Sequence, residues 1–139
     1  YVSYYLGYPG HQNRTVVVGE PSAEQRRTYQ TMHDIYLATI DQCRVGAVAG
    51  DVYQYAVDAF RQEGYDDRVN LVGHGVGAWW HQQEPYLVEH AQQVLEAGMV
   101  LALEPGVSYW RLQDLILVTE GAPRLLSTRF NTDEMFVAG

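Results

Sequence analysis

Two helix patterns stand side by side near the middle of this chain, and β-type sequence lies on both sides of them. That order constrains the fold more than any other feature. Met32, Tyr36, Ile40 and Cys43 recur at helical spacing and make one apolar face. Just upstream, Ser22-Ala23-Glu24-Gln25 reads as a capping box, with Ser22 as N-cap and Gln25 reaching back. Gly46 to Gly50 interrupts the pattern. Asp51 is the expected cap of a second helix, whose Val52, Ala56, Ala59 and Phe60 line one side and which Gly64 closes. Before the helices, Tyr1 to Val18 is aromatic and β-branched and broken by Gly7 and by Pro9-Gly10. It reads as two strands with a turn, Arg14 to Val18 being the firmer. After them, Val69 to Val72 reads as a short strand, Trp79 to Gln93 as a long irregular loop, and Met99–Glu104 and Leu112–Thr119 as strands. Gly121-Ala122-Pro123 turns into a last strand, Arg124-Leu125-Leu126. Strands, two helices, then strands predict an α+β domain.

At 139 residues, with 47% hydrophobic and 19% charged side chains, the chain has the makings of one globular domain. Its nine basic residues, all Arg, face seventeen acidic ones, and a net charge of -8 argues against nucleic acid or an anionic membrane as partner. The absence of Lys excludes a Schiff-base or P-loop lysine within the chain. No apolar run approaches the roughly 20 residues that span a bilayer. The opening Tyr1 to Tyr5 does not read as a signal peptide. It reads as the middle of a strand, so the chain is expected to begin inside a larger fold. The single cysteine, Cys43, precludes an internal disulfide and suits a reducing, cytoplasmic compartment. It is expected to be a buried, inert thiol.

His74 sits among glycines in Gly73-His74-Gly75-Val76-Gly77, at the end of an apolar strand, and His81 follows. Glu104 ends a strand before Pro105-Gly106, and Gln113-Asp114 interrupts an apolar stretch. Polar side chains at strand ends facing one cavity are how metal and acid–base sites are built. Trp79 and Trp80, between the two histidines, fit either a substrate pocket wall or core packing.

These segments occur in an order that resembles one family. Gly73 to Gly77, His81, Leu95 to Gly106, Arg111 to Asp114 and Leu117 to Gly121 together resemble the pita-bread, M24-like group: methionine aminopeptidases, Xaa-Pro aminopeptidases, prolidases and creatinase. Arg14 to Gly19 is similar to the family's second metal-bearing hairpin. The resemblance covers nearly the whole chain and implies the C-terminal part of a pita-bread domain. It implies two divalent metals held by two Asp, one His and two Glu, with a bridged water as nucleophile. On this chain it places His74 and Glu104 as metal ligands, His81 as a proton-moving histidine and Arg111 as a substrate-orienting residue. Gln113 stands where the second Glu belongs, and His11 where the second Asp is expected. The first Asp would lie upstream of Tyr1. Between Glu104 and Arg111 there are only the residues Pro105 to Trp110, where many relatives carry a longer loop.

Three functions remain open on this reading. One is a divergent hydrolase of a peptide-like or amide C–N bond, with an altered site for Mn, Fe, Co or Zn at His74, Glu104, His11 and Gln113. Another is a metal-free, creatinase-like hydrolase or lyase on a small cationic substrate, with His81 as proton carrier, Glu104 as anchor and Trp79 and Trp80 over it. The third is a non-catalytic binding module. A homo-oligomer, or a second chain that completes the domain, is expected in each case.

Overall fold

The computed structural model describes residues 2–66, 69–78 and 82–139. The chain opens with a hairpin of β1 (Val2–Tyr5) and β2 (Tyr8–His11), followed by β3 (Val16–Val18). The reversal falls at Leu6-Gly7, where both φ angles are positive, and not at Pro9-Gly10. Pro9 lies inside β2 opposite Tyr4, a position it tolerates because the hairpin has only two strands and both are edges.

Helix α1 (Ala23–Gln42) begins as the sequence predicts. Ser22 Oγ accepts from the Gln25 amide at 3.1 Å, and Gln25 Oε1 accepts from the Ser22 amide at 2.8 Å. Helix α2 (Ala49–Gln62) begins differently. Its N-cap is Val48, with no side-chain cap, and Asp51 lies within the first turn. The orphan amides are met by main chain instead: Ala49 N donates to Gln93 O at 2.8 Å and Gly50 N to Ala91 O at 3.0 Å. Gly64 follows α2 with φ 85°, the expected stop.

One five-stranded antiparallel sheet carries the rest of the core, in the order β10-β9-β6-β4-β5. Its strands are β4 (Gly73–Gly75), β5 (Gln83–Leu87), β6 (Val100–Leu103), β9 (Asp114–Leu117) and β10 (Arg124–Leu125). Strand β5 falls where a loop was expected. Its polar residues and Pro85 hide it, and an edge position is where a sheet admits proline. A small hairpin, β7 (Gly106–Val107) and β8 (Trp110–Arg111), branches off after β6. The last strand, β11 (Phe136–Ala138), returns to run parallel to β3.

Strand alternation divides the sheet's side chains between two faces. Leu101, Leu103 and Ile116 point to the helices and pack with Met32, Tyr36, Val52 and Phe60, all at most 1% exposed. His74 pairs with Ala102, and Ala102 with Leu115, so this row lies on the opposite face. Glu104 and Gln113, each two residues along from a member of that row, share its face. Cys43 is fully buried in the helix core, and burial pushes its thiol up to about 12. Among the described residues, no helix is long and apolar enough to cross a membrane.

Candidate functional site

The glycines around His74 serve close approach. A Cβ on Gly73 would lie 2.7 Å from the Ala102 carbonyl oxygen, and one on Gly75 would run into the Glu84 carbonyl. Strands β5 and β6 thus press against β4 from both sides, and His74 is fully buried between them. Its Nδ1 donates to the Gly75 carbonyl at 3.0 Å. A carbonyl only accepts, so in the neutral ring the proton sits on Nδ1 and Nε2 keeps its lone pair. That Nε2 faces Glu104 Oε1 at 3.6 Å.

Glu104 continues β6; its amide donates to Val72 O at 2.8 Å. Its carboxylate is 11% exposed. Gln113 Nε2 donates to Glu104 Oε2 at 2.7 Å, and Arg111 Nη1 stands 3.5 Å from the same oxygen. Arg111 reaches back because the β7–β8 hairpin sets it opposite Gly106, two residues past Glu104. The short Pro105 to Trp110 segment is therefore what folds the guanidinium onto the carboxylate. Thr15 holds it there through both backbone groups of Arg111, at 3.0 and 3.1 Å.

His11 turns into the same cluster. Both its ring nitrogens lie 3.3 Å from Gln113 Nε2, and its ring centroid is 5.2 Å from that of His74. His11 also lines a groove of about 460 Å³ with Leu115, Leu126 and Arg129, an approach from solvent that the sequence did not reveal. His11, His74, Glu104, Arg111 and Gln113 are thus brought together. His81, Trp79 and Trp80 lie outside the described residues.

In the sequence Asp114 is only a break in an apolar stretch. It is fully buried on the helix-facing side, the consequence of following Gln113 in a strand. Arg14 Nη2 donates to both its oxygens at 2.8 and 2.9 Å, Tyr36 Oη to Oδ2 at 2.6 Å and Gln12 Nε2 to Oδ1 at 3.0 Å. Burial and the neighbouring Asp114 raise the Tyr36 pKa, so the phenol stays a donor. Asn13 and Gln113 exchange backbone bonds at 3.0 and 3.1 Å. Ion pair and bridge together fix the segment bearing His11 against the strand bearing Gln113. The adjacency of Asp114 to a candidate ligand was the available signal: neighbouring strand residues cannot both face one site.

The donors do not fit a pair of divalent ions. Among the described residues, no group of three or more His, Cys, Asp or Glu could hold one. Among the described residues Glu104 is the sole carboxylate in the cluster, and one of its oxygens is already engaged by the Gln113 amide.

Residues 1–120 match the model of metallopeptidase family M24. An Xaa-Pro dipeptidase of Pyrococcus furiosus is 32% identical over 131 residues, covering 89% of this chain and 37% of that protein. A probable dipeptidase, PepE, of Mycobacterium tuberculosis is 32% identical over 124 residues, covering 85% of this chain and 33% of that protein. The crystal structure of dipeptidase PepE from Mycobacterium ulcerans superposes with a TM-score of 0.88 at 30% identity, over 97% of this chain and 37% of that one. The chain spans about a third of the length of the curated relatives it matches, and within that span its fold is the α+β pita-bread fold expected from the sequence.

Proposed function

The chain belongs to metallopeptidase family M24, and on that premise we propose that it is a hydrolase of a peptide-like or amide C–N bond, with the family's metal site altered at His11 and Gln113. The observation that carries this reading is the convergence of His74, Glu104, His11, Arg111 and Gln113 on one face of the sheet. The dipeptidase relatives support a short peptide as substrate.

The proton steps fall to side chains, since the donors do not suit two metal ions. Glu104 Oε1 lies 3.6 Å from His74 Nε2. A water beside Glu104 donates to its carboxylate. As the water oxygen bonds to the substrate carbonyl carbon, its proton passes to Glu104. The C–N bond then breaks and the proton leaves on the amine nitrogen. Arg111, half-exposed beside Glu104, receives a substrate carboxylate. We assign His81 to delivering the proton to the leaving nitrogen, and Trp79 and Trp80 to the pocket wall, on the family resemblance.

A second reading, also metal-free, is cleavage of a small cationic substrate anchored on Glu104, and one observation favours it. The neutral Gln113 beside it leaves Glu104 as the cluster's only carboxylate among the described residues. A cytoplasmic site of action agrees with the buried free thiol of Cys43. Assembly into a homo-oligomer, or with a second chain, agrees with the exposed β1–β2 hairpin, where Tyr5 is 79% and Leu6 82% exposed.

The test is a mass-spectrometric screen of Xaa-Pro dipeptides, other dipeptides and small cationic amides, with wild type and Glu104→Gln compared. Cleavage that falls by about 100-fold or more in the variant supports the assignment. Equal cleavage by both proteins removes Glu104 from the chemistry. No cleavage of any compound favours the binding module.

A further inference from the structure

A centre for two divalent cations gathers carboxylates and relies on the cations to offset their repulsion. Three positions in this chain correspond to carboxylate ligands in the family pattern, 11, 104 and 113, and only Glu104 is one. Losing charge would by itself merely weaken a metal site. The geometry goes further, because Gln113 takes up a definite role. A carboxylate only accepts, so the 2.7 Å contact requires the amide nitrogen of Gln113, not its oxygen, to face Glu104. The same nitrogen lies 3.3 Å from both ring nitrogens of His11, and an amide nitrogen carries two protons. The positive end of the amide dipole therefore stands between Glu104 and His11, where a cation would otherwise join residues 11, 104 and 113. Turning the amide to offer its oxygen to a metal would break a charge-assisted hydrogen bond and set oxygen against oxygen.

We infer that the NH₂ group of Gln113 substitutes for a bound cation, tying Glu104 to His11 where a metal ion would otherwise join them. The inference rests on the donor geometry and holds whichever bond the site cleaves. It is tested by elemental analysis and calorimetric titration with Mn²⁺ and Zn²⁺, using the full chain purified without chelator or affinity metal. Wild type is compared with Gln113→Glu and with His11→Asp/Gln113→Glu, the fold of each being checked by circular dichroism. The expected result is no stoichiometric metal on wild type. The double variant should bind tighter by about a hundredfold or more, the scale on which changes around a metal move its affinity. Micromolar binding of either ion by wild type overturns the inference, and that arm stands even if the variants do not fold. Folded variants that bind no better than wild type also overturn it, since residues 11 and 113 would not then be what displaces the cation. Loss of peptide cleavage in the separate substrate screen bears on the proposed activity alone.

Discussion

Replacing Arg14 with Met tests whether the buried Arg14–Asp114 pair holds the two halves of the site together. The Asp114 side chain is fully buried and that of Arg14 only 9% exposed. Besides binding both carboxylate oxygens, Arg14 donates from Nη1 to the carbonyls of Asn13 and Gln113, at 2.7 and 3.0 Å. Those carbonyls keep their backbone bonds when the guanidinium goes, so they add little to the loss. The damage concentrates on Asp114, left as a buried carboxylate with two donors, Tyr36 and Gln12. Removing one partner of a buried pair costs about 3–5 kcal/mol. The remaining donors place Arg14→Met near the lower end, about 3 kcal/mol. Urea unfolding measures it. Adding Asp114→Asn, which removes the stranded charge, should recover about 1–2 kcal/mol of the summed single losses. A loss below about 1 kcal/mol, the scale of an exposed pair, would refute the argument. So would strict additivity in the double variant.

Tyr36→Phe removes a hydrogen bond to the same carboxylate and should cost about 2 kcal/mol by urea unfolding. Cys43 gives a prediction in pH. Burial raises its pKa from 9.0 to about 12 in the folded chain. Below pH 9.0 the thiol is protonated in both states, and above it the unfolded chain ionises first. Its contribution to stability is therefore intact below pH 9.0 and lost as pH rises toward about 12. Cys43→Ala should lose less stability than wild type across that window, and parallel curves would contradict the buried thiol.

The parts of the fold legible in the sequence were those set by local chemistry. The Ser22–Gln25 capping box, the apolar face of α1 and the glycine stop after α2 each depend on residues a few positions apart. Strand β11 and its pairing with β3 were invisible because they are set by contacts across nearly the whole chain. The cap of α2 was misread because Ala91 and Gln93, not Asp51, meet its first amides. In the site, His74 and Glu104 were marked by glycine and proline neighbours, since tight strand approach and a sharp exit require those residues. The direction of His11 was not legible, because Pro9 suggests a turn while the hairpin in fact reverses at Leu6-Gly7. The role of Asp114 was not legible because its partners, Arg14 and Tyr36, come from the other half of the chain.

The most direct test of the account is turnover of a cleaved peptide or amide by protein dialysed against chelator, wild type beside Glu104→Gln. The account predicts that stripped wild type keeps its rate and that the variant loses about 100-fold or more. Turnover abolished by chelator and restored by Mn²⁺ would contradict it.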